Sequence, residues 1–136
     1  AAPGTVPAPA PGAPGAPAVR GPAVVSIEGR THPVEVHYLA EPCANYVTAA
    51  VSAVMDVHRA DEPGDILVFL TGQEEVESAV KALDAEAHRL QHSTGYALKL
   101  LPLPLYAGLP GPQQRAALGP APRGHRKVVV ATNIAE

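Results

Sequence analysis

The chain has 136 residues, 46% of them hydrophobic and 17% charged, with a net charge of −3 at pH 7. This composition suits one small globular domain rather than a wholly disordered chain, and its acidic balance argues against a protein that coats nucleic acid with lysine and arginine. Cys43 is the only cysteine, so an intrachain disulfide is excluded and a cytosolic or nuclear compartment is expected, with Cys43 itself a small, partly buried residue.

Much of the excess of proline and glycine lies in residues 1–19, almost entirely Ala, Pro and Gly. Such a stretch lacks large side chains to bury, so residues 1–21 are expected to form a disordered arm and the folded part to occupy residues 22–136. No basic segment precedes an apolar core, so a secretory signal is not expected, and no span approaches membrane length. Pro22-Ala23-Val24-Val25-Ser26-Ile27-Glu28 suits a short strand. After the turn at residues 29–33, Val34, Val36 and Tyr38 alternate with Glu35 and His37, the pattern of a half-exposed strand. Pro42 breaks the chain. From Asn45, a suitable cap, Tyr46, Val47, Ala50, Val51, Val54, Val57 and His58 follow helical spacing, and Asp61-Glu62-Pro63-Gly64 ends that helix.

Ile66 to Leu70 is continuously apolar, as expected of a strand covered on both faces, although so short a run also fits buried helix. The next four residues decide for a strand, because Thr71-Gly72-Gln73-Glu74 forms a T-x-x-E capping box, with Thr71 and Glu74 bonding reciprocally at a helix start. Val76, Val80, Leu83, Ala87 and Leu90 give that helix one apolar stripe. Glu74, Glu75 and Glu77 complement the positive end of its dipole, and His88 and Arg89 the negative end. A leucine-rich segment, residues 97–106, is interrupted by Pro102 and Pro104, so it is expected to be short or near a sheet edge. Pro112 begins a short helix. Arg126 to Thr132 is a further buried strand, with Arg126 and Lys127 expected to be solvated at its start.

Strands alternating with helices imply right-handed crossovers and a parallel α/β sheet flanked by helices. The loops at Thr71 and Thr132 then leave carboxyl ends of strands on the same edge, where such sheets bind ligands. The six histidines have neither HExxH spacing nor cysteine partners, so no metal ligands are assigned. The tyrosines Tyr38, Tyr46, Tyr96 and Tyr106 are expected to be packing residues.

These motifs together resemble the DEAH-box ATP-dependent RNA helicases. Ile66-Leu67-Val68-Phe69-Leu70-Thr71-Gly72-Gln73-Glu74-Glu75-Val76-Glu77 looks like the family's motif IV. Gly29-Arg30-Thr31-His32-Pro33-Val34 resembles the approach to its second RecA-like domain. Leu103-Pro104-Leu105-Tyr106-Ala107-Gly108-Leu109-Pro110, with Gln113-Gln114-Arg115, resembles the stretch between motifs IV and V, and residues 126–136 resemble the first part of motif V. The resemblance implies a partial second RecA-like domain of the P-loop NTPase type, incomplete at its C-terminus. It implies single-stranded RNA held through its phosphate backbone by Thr71, Gly72, Thr132 and Asn133, and the first RecA-like domain as partner, with no membrane role. ATP and Mg2+ serve the complete enzyme. The chain itself carries no GxxxxGK[ST] loop, no Asp-Glu-Ala-His quartet, no Ser-Ala-Thr motif and no motif VI, so it is expected to bind neither ATP nor Mg2+ alone, to have no catalytic residue and to be inactive by itself. The alternative is a truncated, non-catalytic RNA- or protein-binding module. A nuclear or nucleolar site is the family expectation, with the cytoplasm as the other option.

Overall fold

The computed structural model describes residues 21–92 and 95–136; the expected arm therefore lies almost wholly outside the described residues. The described chain falls into two units, residues up to Tyr38 and Leu39–Glu136. In the first, residues 21–38 form neither helix nor strand, and Val34, Val36 and Tyr38 are exposed. The two strands expected at residues 22–28 and 34–38 are therefore absent among the described residues. An alternating pattern makes a strand only where a neighbour supplies ladder hydrogen bonds, and these residues have none. Among its described residues, His37 Nε2 lies 3.4 Å from a Glu35 carboxylate oxygen, with both side chains exposed.

The second unit begins with α1 (Tyr46–Arg59). Asn45 caps it, its side-chain oxygen accepting from the Val47 and Thr48 amides at 3.0 and 3.2 Å. The helix ends where Asp61 (φ 54°) and Gly64 (φ 127°) take left-handed conformations. Then follow β1 (Ile66–Phe69), α2 (Gln73–Leu90), β2 (Lys99–Leu105), α3 (Gly111–Leu118), β3 (His125–Ala131) and a 3-10 turn, Asn133–Ala135. The three strands make one parallel sheet in the order β1-β3-β2. This is the α/β architecture the sequence implies, with three strands among the described residues.

One face of the sheet is covered by α1 and α2, whose Val54, Met55, Val76, Ala79 and Leu83 pack with Leu100, Val128 and Val130. On the other face α3 places Ala117 against Leu105, Val129 and Ala131. β3 is buried on both faces, and β2 gives Leu100 to one core and Leu105 to the other. In β1, Ile66 and Val68 join the first core while Leu67 and Phe69 remain about half exposed, so its unbroken apolar run is covered on one side only.

β2 is the edge strand its prolines suggest, but at seven residues it is not short. Lys99 donates to the Gly124 carbonyl at 2.9 Å, and the Leu105 carbonyl accepts from Thr132 at 3.1 Å, so odd-numbered residues face β3. Pro102 and Pro104 have the opposite parity, and their missing N–H groups point to the open edge, where no ladder bond is lost.

Arg126 corrects the expectation of a solvated charge at the head of β3. It is buried, and its guanidinium donates to the carbonyls of Val57, at 3.3 Å, and Glu62. Val57 lies in the last turn of α1, where unpaired carbonyls and the negative end of the dipole suit a cation. Cys43, expected to be partly buried, is exposed. No described helix is long and apolar enough to cross a membrane.

Candidate nucleic-acid interface

Parallel strands all end on one side of the sheet, so their order sets the order of the residues on that rim. Phe69 pairs with Ala131, and Leu105 pairs with Ala131 from the other side. Leu70 also donates to the Ala131 carbonyl at 2.8 Å. The exits after β1, β3 and β2 therefore stand side by side, bringing Thr71 and Gly72, then Thr132 and Asn133, then Tyr106 to a common rim.

Thr71 is exposed, and its local bonding differs from the expected box. The N-cap of α2 is Gly72, whose carbonyl accepts from Val76 at 3.1 Å. The acid that reaches back to Thr71 is Glu75, not Glu74: its Oε2 accepts from the Thr71 amide at 3.1 Å and from the Thr71 hydroxyl at 2.7 Å. Because the helix starts at Gln73, one residue later than a Thr71 cap would require, the return contact moves from the third following residue to the fourth. The Tyr46 hydroxyl donates to the other Glu75 oxygen and lies 3.4 Å from Thr71 Oγ1. The hydrogen bond from Tyr46, then those from Thr71 and the Gly72 amide, hold the Glu75 carboxyl below its ordinary range. The carboxylate is therefore ionised at neutral pH.

Gly72 has φ −147°, which any residue adopts, and a side chain there would meet only open space. Neither backbone strain nor crowding requires glycine here, although glycine suits the N-cap position it occupies. Thr132 donates its amide to Leu105 and accepts from Ala135 through its carbonyl, but its hydroxyl makes no capping bond. Asn133 is exposed. Next along the rim, the Tyr106 hydroxyl donates to Glu77 Oε1 at 2.6 Å, and Gln73 donates to the same oxygen at 3.4 Å. That acceptor raises the Tyr106 pKa.

All four residues assigned from the sequence thus stand on one rim. Sequence reasoning missed Tyr46, Glu75, Tyr106 and Glu77. Tyr46 and Tyr106 are not simple packing residues, and Glu75 and Glu77 do more than complement a dipole. The Thr71–Glu75 and Gln73–Glu77 spacings of four were visible, whereas the pairing of each acid with a distant tyrosine was not. Tyr96 stacks on buried His58 with ring centres 5.0 Å apart, and Tyr106 also packs against the first core, so for these two the packing expectation holds.

Among the described residues no group of three or more His, Cys, Asp or Glu side chains can hold a metal ion. The rim offers hydroxyls, amides and two acids already committed to tyrosines, a donor set that does not fit Mg2+, which takes carboxylates together with substrate phosphates.

No protein-family model matches the chain. It is 44% identical over 116 residues to the Arabidopsis thaliana pre-mRNA-splicing factor ATP-dependent RNA helicase DEAH10, covering 85% of this chain and 16% of that protein. The chain belongs to the DEAH-box helicase family. A probable DHX35 homologue of Caenorhabditis elegans and the pre-mRNA-splicing helicase prp22 of Schizosaccharomyces pombe are each 46% identical over 113 residues, covering 83% of this chain and 15% and 9% of their own lengths. Among solved structures, the Escherichia coli DExH-box NTPase HrpB superposes with a TM-score of 0.63 at 38% identity, covering 79% of this chain and 12% of that protein. The chain therefore spans less than a fifth of the length of the DEAH-box relatives it matches, and its fold is that of a helicase segment.

Proposed function

We propose that this DEAH-box segment supplies the RNA-gripping rim of a second RecA-like motor domain, residues 22–136, in an ATP-dependent RNA helicase. Thr71, Gly72, Thr132 and Asn133 hold the sugar-phosphate backbone of single-stranded RNA, and the first RecA-like domain is the partner across the ATP cleft. The observation that carries this reading is the adjacency of β1 and β3, which sets two polar loops side by side on the carboxyl rim. Hydroxyls and amides placed there grip a backbone without reading bases, as a translocating motor requires. ATP chemistry belongs to parts outside this donor set, so the chain alone is expected to release no phosphate from ATP. The splicing names of two relatives favour a nuclear site of action.

The test is fluorescence anisotropy of the chain with a labelled RNA oligonucleotide over a salt series. Thr132→Ala with Asn133→Ala should weaken binding. Because the contacts are uncharged, the log–log salt slope should correspond to fewer than about two neutralised phosphates. Gly72→Ala should cost no more than about 1 kcal/mol of stability, the effect of a poorer N-cap residue, because the added methyl meets open space, yet weaken RNA binding by crowding the backbone. A steep salt slope, with the rim variants unaltered, would place RNA on lysines and arginines instead.

A further inference from the structure

The hydrogen count at Thr71 points to a more specific contact. A threonine hydroxyl has one proton and two acceptor sites. Here the proton goes to Glu75 Oε2 at 2.7 Å, and the Thr71 amide goes to the same oxygen at 3.1 Å. The Tyr46 proton is also spent on Glu75, leaving its oxygen 3.4 Å from that of Thr71. Two hydroxyl oxygens and a carboxylate thus stand together, with the Thr71 and Tyr46 protons both directed at Glu75. A phosphodiester carries only acceptors and a negative charge, so it gains nothing at this spot and is repelled by the acid. A ribose 2′-hydroxyl carries the donor that the spot lacks, and it is the group that distinguishes RNA from DNA.

We propose that Thr71 Oγ1, fixed by Glu75 and Tyr46, accepts a hydrogen bond from a ribose 2′-hydroxyl and so makes this rim select RNA over DNA. The proposal rests on the RNA-interface reading above and changes the partner of Thr71 from phosphate to sugar. Phosphate contacts then fall to Thr132 and Asn133, since the Gly72 amide is also directed at Glu75. Glu75 and Tyr46 are positioning residues, acting through the direction in which they hold the Thr71 proton. The ionised state of Glu75 at neutral pH keeps that direction fixed.

The experiment compares three labelled strands of one sequence at one salt concentration: RNA, 2′-fluoro RNA and DNA. The 2′-fluoro strand keeps an RNA-like sugar but cannot donate. The wild-type chain should bind RNA about 3- to 10-fold more tightly than 2′-fluoro RNA, the span of one hydrogen bond. Thr71→Val should bring RNA down to the 2′-fluoro affinity and leave 2′-fluoro binding unaltered, and Thr71→Ser should restore the difference. Glu75→Ala removes the acceptor of the Thr71 proton, frees that proton to point outward, and should narrow the ratio. Circular-dichroism melts of each variant establish that the fold persists. Equal weakening of all three strands by Thr71→Val would mean that Thr71 donates to phosphate, which overturns this inference and spares the interface reading. Equal wild-type affinity for RNA and 2′-fluoro RNA, or no effect of Thr71→Val, also overturns it. Absence of binding to any strand overturns both.

Discussion

Leu83 offers the sharpest test of how α2 meets the sheet. It is 1% exposed and lies in the core formed with Val54, Met55, Val76, Val128 and Val130. Leu83→Ala removes the buried side chain beyond its β-carbon and leaves a cavity under the helix, and comparable substitutions cost about 2–5 kcal/mol. Against a total stability of about 5–15 kcal/mol for a domain of this size, a loss near 3 kcal/mol is severe. It corresponds to a fall in melting temperature of about 12–24 °C at about 4–8 °C per kcal/mol. Leu83→Met keeps the volume and should lose less than about 1.5 kcal/mol. Leu118→Ala serves as the control, because Leu118 is 70% exposed and its truncation should stay within about 0.5 kcal/mol. Urea unfolding followed by circular dichroism, with unchanged m-values, measures all three. If Leu83→Ala and Leu118→Ala lose the same stability, the apolar stripe of α2 does not bury Leu83 against the sheet.

Asn45→Ala removes the acceptor for two amides at the start of α1 and should lower stability by about 1 kcal/mol in the same urea assay; an unchanged midpoint would mean that solvent satisfies those amides equally well. His58 supplies a pH prediction. Burial first, then the Arg126 charge, with Arg59 adding to it and Asp61 opposing, lower its pKa from 6.5. The unfolded chain therefore binds a proton more readily than the folded one, and stability should fall as pH drops below about 6.5, levelling off below the folded pKa. His58→Leu should flatten that part of the stability–pH curve, whereas an unaltered slope would assign it to other groups. Glu75 acts at lower pH and with the same sign. Its depressed pKa gives stability that is present above about 4.5, the ordinary value, and is lost as pH falls through the folded pKa, so wild type and Glu75→Gln should converge in stability at acid pH.

Local signals in the chain were strong wherever one residue's role is settled by near neighbours. Asn45 before an apolar helical period makes a cap in any tertiary setting, because its acceptors and donors lie within three residues. The stripe from Val76 to Leu90 and the apolar β3 segment likewise fix which residues seek burial, and Pro102 and Pro104 fix an edge, because a missing N–H is tolerated only where no strand pairs on that side. These patterns suffice for a parallel α/β sheet and for the placement of Thr71 and Thr132 on one rim. Alternation at Val34 to Tyr38 did not suffice, because a strand exists only with a partner, and partners are a property of the whole sheet. The same holds for the face of β1 at Leu67 and Phe69, which an apolar run marks for burial but only a covering layer can bury.

Tertiary structure alone decided where the protons and charges go. Arg126 resembles a solvated residue by sequence, yet α1 brings the Val57 carbonyl within reach from 69 positions away, and a guanidinium is stable in the interior when carbonyls meet it. Tyr46 and Glu75 are separated by 29 residues, and no spacing rule joins them. Glu75 takes the Thr71 proton and the Tyr46 proton as well, which leaves Thr71 Oγ1 to a ligand as an acceptor. Sequence determines which side chains can make hydrogen bonds, but the fold determines which of them have already been made, and that difference sets what the rim can still offer to a ligand.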